Sequence, residues 1–226
     1  MIYILDIEYL HREENYIDLY NKMPDFRKEK ADKYRFMKDK ACSVGAWGLL
    51  QYALSQMNIK DDTDVIYNEY GKPFLKNHKD IFFSLSHSEN MVMCAISDEA
   101  IGCDIQIVED RNDNIRGLAK RFFAAGESEY IESLPDDEAK DAFYRIWTVK
   151  ESYIKATGEG LSRDLASFEV KFEKDIIKIG NEEYFCHEIN DMEGYKAAYC
   201  TGKKIKEKVV FLKSLNQMCK SAKQCE

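Results

Sequence analysis

The sequence predicts an α+β chain of two similar halves, from three observations. Apolar residues recur at three- and four-residue steps in some stretches and at two-residue steps in others, the periods of helix and strand. These stretches come in blocks, helices and then strands, which favours α+β layers over an alternating parallel sheet. The order also repeats: a long helix-period segment at 40–58 leads through a glycine loop into strand candidates, and another at 137–157 leads through Gly158-Glu159-Gly160 into more. The halves share no clear residue identities, so the repeat rests on order alone. Two such halves would meet near residues 101–107.

Met1 to Ile7 reads as a first strand, and residues 27–38 and 40–58 read as helices. The second helix carries Val44, Trp47, Leu50, Leu54 and Met57 as an apolar stripe that suits a core. Tyr70-Gly71-Lys72-Pro73 is a turn signal. Strands follow at Ile81 to Ser86, Met91 to Ser97 and Ile101 to Ile107, then helices at 115–123, 127–133 and 137–157. Gly158 and Gly160 end the last helix, and strands resume near 167–173, 184–189 and 194–200. The expected organisation is an N-terminal half at 1–101, a C-terminal half at 102–212 and a polar, lysine-rich tail at 213–226.

The 226 residues suit one large domain or two small ones sharing a core. Mean hydropathy is -0.51, and no apolar run approaches the roughly 20 residues of a membrane helix. The start, MIYILDIEYL, is too acidic for a signal peptide. Seven cysteines without a C-x-x-C pair suggest neither a disulfide frame nor a zinc cage, so reduced thiols and a cytoplasmic location are expected. A net charge of -8 argues against a general nucleic-acid binder. Residues 27–40 run against that balance, with seven basic side chains facing Glu29, Asp32 and Asp39. Such a run is either a solvated helix face or a local site for an anionic ligand.

Three constellations could carry chemistry. In Trp147-Thr148-Val149-Lys150-Glu151-Ser152-Tyr153-Ile154-Lys155, steps of four place Trp147, Glu151 and Lys155 on one helix face. The bland reading is a surface Glu–Lys pair; an indole on the same stripe argues for a cleft edge that binds metal and phosphate together. In Gly102-Cys103-Asp104-Ile105-Gln106, strand geometry points Asp104 and Gln106 the same way, as a partial magnesium site or as an edge strand turned outward. Ser84-Leu85-Ser86-His87-Ser88 closes an apolar strand, where hydroxyls, an imidazole and turn N–H groups could cradle an anion. No G-x-S-x-G surrounds these serines, and a hydrolase elbow is disfavoured.

Together, in this order, the motifs resemble those of the surfactin-type 4′-phosphopantetheinyl transferases. The stretches that carry the resemblance are 70–73, 83–88, 101–106 and 147–155, the last two being the family's G-x-D-x-E and W-x-x-K-E-x-x-x-K signatures. Ala-Lys-Arg-Phe-Phe at 119–123 and Gly-Tyr-Lys-Ala-Ala-Tyr-Cys at 194–200 support it. The resemblance implies two α+β halves related by a pseudo-twofold axis, with coenzyme A in a cleft between them. It implies Asp104 and Glu151 as ligands of Mg (Mn possible), with Gln106 where the family usually has an acid. Lys155 matches the lysine on the pyrophosphate, and Ser86 and His87 match a phosphate-contacting pair. Tyr70, Gly71, Lys72 and Pro73 match the segment lining the adenine, and Lys28 a basic residue serving the ribose 3′-phosphate. An arginine common in the family near Ser43 is missing, which shifts phosphate contacts onto Lys38 or Lys40.

The implied activity is Mg-dependent transfer of 4′-phosphopantetheine from coenzyme A to a serine of an apo acyl or peptidyl carrier protein, releasing 3′,5′-ADP. Glu151, Lys155 and His87 are the expected catalytic residues. The chain is expected to work as a monomer, without nucleic acid or membrane, in fatty acid synthesis or secondary metabolism. A different Mg-dependent phosphotransferase lacks support, because no G-x-x-x-x-G-K-[ST] loop is present. A catalytically silent coenzyme A binder is favoured only by Gln106. Arg111, Arg116, Lys120 and Arg121, followed by Phe122 and Phe123, are expected to offer the carrier a basic face.

Overall fold

A computed structural model describes residues 1–59, 64–109, 114–172, 177–179, 184–204 and 206–215. The chain is α+β, and it divides into two compact units built from interleaved stretches. One holds residues 1–63, 85–94 and 207–226; the other holds 64–84 and 95–206. A single boundary between 101 and 102 was the sequence expectation, whereas the compact units exchange chain at several points.

In the first unit, β1 (Ile2–Asp6) pairs in parallel with β11 (Val209–Leu212), Ile2 opposite Val209. They belong to a four-stranded sheet of order β11-β1-β5-β4, in which β4 is Phe82–Ser88 and β5 is Met91–Ser97. Three helices accompany it: α1 (Glu13–Asn21), α2 (Asp25–Asp32) and α3 (Met37–Ser55). α1 has no buried residue, so it has no apolar stripe to announce it. The helix expected over 27–38 stops at Asp32, and the chain is extended at Phe36, whose side chain is 61% exposed, before α3 begins. In α3 the small residue Gly45 admits the Ile7 side chain, since a Cβ there would lie 2.7 Å from Ile7 Cγ2.

The second unit has a five-stranded sheet of order β6-β10-β9-β8-β7. β6 is Ile101–Ile107, β7 Val170–Phe172, β8 Ile177–Ile179, β9 Phe185–Ile189 and β10 Tyr195–Thr201. Among the described residues, β6 with β10, β10 with β9, β9 with β8 and β8 with β7 pair antiparallel, with Asp104 opposite Ala198 and Gln106 opposite Lys196. A hairpin of β2 (Val65–Tyr67) and β3 (Pro73–Leu75) adds a two-stranded sheet. The long helix α6 (Asp136–Thr157) packs on β6 and β10 and buries Val149, Tyr153, Ile154 and Ala156 against Ala198, Cys200 and Phe168. α4 (Ile115–Phe122) and α5 (Ala125–Ser133) form a second cluster with α6 around Ala119, Phe123, Ile131, Phe143 and Ile146.

The expectation of reduced thiols is corrected at one place. Cys186 and Cys200 stand opposite each other in β9 and β10 with Cα atoms 4.2 Å apart, and their sulfurs are joined. Strand pairing brings them together, which a search for C-x-x-C spacing does not detect. Cys42, Cys94 and Cys103 are buried and outside any disulfide, while Cys219 and Cys225 lie outside the described residues.

Candidate active site

The Gly102-Cys103-Asp104 stretch is a packing device. Gly102, Asp104 and Gln106 alternate onto one face of β6. A Cβ at Gly102 would lie 2.0 Å from the Ser152 carbonyl oxygen and 2.3 Å from the Ala156 nitrogen. Only a glycine lets β6 come this close to α6. That approach brings Asp104, almost wholly buried, beneath the Trp147–Glu151–Lys155 stripe. Those three residues are only partly buried, although most of their helical neighbours are buried.

Lys155 Nζ donates to Asp104 Oδ1 at 2.6 Å, and Gln106 Nε2 donates to Asp104 Oδ2 at 3.2 Å. Burial pushes the Glu151 carboxyl up; the Asp104 charge adds to that and the Lys155 ammonium opposes it. Burial alone would lower Lys155, but Asp104, Cys103 and Glu151 outweigh it and hold its ammonium above the ordinary value. The site therefore sets two carboxyl groups and one ammonium within electrostatic reach of one another. Beside Gln106 opens an aromatic cleft of about 210 Å³, lined by Leu118, Phe143, Tyr144 and Trp147.

Among the described residues, no group of three or more His, Cys, Asp or Glu side chains could hold a metal ion. Two carboxylates and an amide oxygen are nonetheless the hard donors that Mg²⁺ accepts when waters and substrate phosphates complete its shell. The upward push of Asp104 on Glu151 is the repulsion that a divalent cation relieves, so the residues fit such an ion.

The turn at 68–72 meets the end of α6. Lys72 Nζ donates to the Ala156 carbonyl at 2.8 Å, and Asn68 Nδ2 donates to the Gly158 carbonyl at 2.9 Å. Burial pushes the Lys72 ammonium down to about 8. Tyr70 is 51% exposed, Gly71 has φ +83, and Pro73 opens β3. The sequence assigned Lys72 to the adenine segment; here its ammonium is engaged by the helix end.

In the first unit, Lys28 lies 3.6 Å from Asp25 and 6.0 Å from the centre of the Tyr20 ring. Ser86 is buried and His87 exposed, next to each other on β4. Lys38 is ion-paired with Glu89.

Two features were missed by sequence reasoning. Lys150, within the W-x-x-K-E signature, is wholly buried and bonds Glu127 at 2.8 Å and the Leu165 carbonyl at 2.7 Å. Glu127 also accepts from the backbone N–H of Ala124 and Val170, so the pair is well satisfied. Asn68 was the other. On the expected basic face, Arg116 bonds Asp136 and the Leu134 carbonyl, and Lys120 pairs with Glu132. Phe123 is core and Phe122 packs edge-on against Trp147; Arg111 lies outside the described residues.

Residues 100–200 match the family model of the 4'-phosphopantetheinyl transferase superfamily. The chain is 36% identical over 137 residues to a 4'-phosphopantetheinyl transferase of Bacillus subtilis, covering 58% of this chain and 60% of that one. It is 37% identical over 156 residues to the 4'-phosphopantetheinyl transferase Sfp of Bacillus subtilis strain 168, covering 66% of each. With the 4'-phosphopantetheinyl transferase gsp of Aneurinibacillus migulanus it shares 33% identity over 163 residues, covering 70% of this chain and 67% of the relative. The matches thus span about three fifths to two thirds of these relatives. β6, α6 and the cluster between them fall inside the matched region, and the chain belongs to the 4'-phosphopantetheinyl transferase superfamily.

Proposed function

We propose that this chain transfers the 4′-phosphopantetheine group of coenzyme A to a serine of an apo acyl or peptidyl carrier protein and releases 3′,5′-ADP. The observation that carries the reading is the Asp104–Gln106–Glu151–Lys155 cluster, set by the close approach of α6 to β6 at Gly102. Family membership supports the same reading. Asp104 and Glu151, with Gln106, would hold Mg²⁺ or Mn²⁺. When bound, such an ion supplies positive charge to the pyrophosphate. Lys155, whose ammonium is held at Asp104, would turn toward a phosphate and neutralise charge that grows on the leaving group. Glu151, directly or through a water, accepts the proton of the attacking serine hydroxyl. The serine oxygen bonds the β-phosphorus as the bond to the departing 3′,5′-ADP oxygen breaks. Lys28, Ser86 and His87 as phosphate contacts, with His87 also catalytic, and Tyr70 to Pro73 as the adenine segment, rest on the sequence resemblance. No helix among the described residues is long and apolar enough to cross a membrane. The cytoplasmic location and monomeric state of this proposal rest on the sequence reading alone.

The test is a mass assay. Apo acyl and peptidyl carriers are incubated with the protein, coenzyme A and Mg²⁺. A gain of one phosphopantetheine on the carrier serine, lost when EDTA is added, is expected. No gain on any carrier of a broad panel overturns the reading.

A further inference from the structure

One side chain organises the junction between the 68–72 turn and the catalytic helix. Asn68 Oδ1 accepts from the backbone N–H of Tyr70 at 3.0 Å and of Lys72 at 2.8 Å, which shapes the turn. Its backbone N–H donates to the Lys72 carbonyl at 3.0 Å. Because the oxygen faces two donors, the amide nitrogen must face the Gly158 carbonyl, to which it donates at 2.9 Å. The last carbonyls of a helix have no partner in the helix, so this bond and that of Lys72 to Ala156 complete the end of α6. The glycines fit the same junction. Gly158 and Gly160 have φ +84 and +56. A Cβ at Gly158 would lie 3.1 Å from Lys72 Cδ and 3.4 Å from Asn68 Nδ2, and one at Gly160 would lie 3.5 Å from the Tyr70 carbonyl oxygen.

We propose that Asn68 is a positioning residue for coenzyme A: its Nδ2 tie to Gly158 fixes the Tyr70–Pro73 segment against the end of the helix that carries Glu151 and Lys155. The contacts to the two ends of the cofactor are then held at one spacing before it binds. The inference rests on the coenzyme A-dependent reading above. Asn68 itself needs no contact with the ligand.

Asn68→Asp separates the two jobs of the amide, because it keeps the acceptor that shapes the turn and removes the donor that makes the tie. Three measurements apply: calorimetric affinity for coenzyme A, hydrogen exchange at 68–72 and 156–160, and kcat with KM. In Asn68→Asp the turn amides should stay protected while those at 156–160 exchange faster. Coenzyme A should bind about fivefold more weakly, the worth of one hydrogen bond, with kcat little changed. Asn68→Ala should lose more. Gly158→Ala strains the junction from the helix side and should weaken binding in the same direction. The proposal is overturned if Asn68→Asp binds coenzyme A as tightly as the wild type, or if its defect vanishes at high salt, which would assign it to the added charge. A wild-type protein that binds coenzyme A but loads no carrier overturns the transferase reading, and the affinities still decide on the tie. A wild-type protein that binds no coenzyme A overturns both.

Discussion

Lys150 and Glu151 are adjacent in the chain and lead separate lives. Lys150 points into the protein, wholly buried, onto Glu127 and two backbone carbonyls, with the Phe168 ring 4.3 Å from its ammonium. Glu151 points along the partly exposed stripe toward Asp104 and Lys155. Their substitutions should therefore fail differently. Glu151→Gln keeps the shape and removes a charge whose burial is already unfavourable, so its melting temperature should equal or exceed that of the wild type. Transfer should fall by about a hundredfold or more, the usual loss when a general base is removed. Mass-detected turnover at saturating Mg²⁺ checks this, and near-normal turnover would remove Glu151 from the chemistry. Lys150→Met should act on stability, by about 3–5 kcal/mol, because it leaves Glu127 buried without its cation. Adding Glu127→Gln should recover part of that loss in denaturant melts, and no recovery would mean the pair is not the cause. The sequence displayed the motif that holds both residues. It could not assign Lys150, because its partner lies 23 positions upstream on another helix.

At the scale of elements, legibility followed the strength of the local pattern. Strands 91–97 and 101–107 were read with their observed ends, because long apolar alternation bounded by turn residues leaves little else. The α6 boundaries were read within one residue, with Gly158 as a left-handed cap. The three-residue strands β2, β3 and β8 escaped, being too short for a period to emerge. What the alternation of β6 did not disclose is why its signature begins with glycine. The answer is the backbone of α6, 2.0 Å from where a methyl group would stand. Gly102→Ala must push α6 from β6 or distort one of them, and both choices move Glu151 and Lys155 relative to Asp104. We expect a lowered melting temperature and a loss of transfer larger than the loss of folded protein explains, read by activity per folded molecule in circular dichroism-matched samples. Full activity in folded Gly102→Ala would mean the close approach is dispensable.

At the scale of the whole molecule, the feature farthest from sequence reading is the closure of the chain on itself. The last described strand, β11, lies beside the first, β1, and the Met1 ammonium pairs with Glu207 at 2.6 Å. No local pattern forecasts a parallel pairing across more than 200 residues, and Val209–Leu212 was given no element and assigned to the C-terminal half. β1 is almost entirely buried, with Ile2, Tyr3, Ile4 and Leu5 in the core. β11 sits at the edge of the sheet and covers it. A chain that stops after Lys208 loses that ladder and Leu215, whose Cδ1 lies 2.6 Å from where a Cβ on Gly48 would stand. The uncovered β1 then presents an apolar edge with open backbone groups, the arrangement that invites association. The truncated protein should melt at least about 5 °C lower, given roughly 2–4 °C per kcal/mol in a chain of this size, and should aggregate on heating. Thermal scans with light scattering read both effects. Because the four-residue cluster of the site lies wholly in the second unit, hydrogen exchange in β6 and α6 should change less than in β1 and α3. Equal loss of protection throughout would mean that the closure of the chain ends supports the site as well as the sheet.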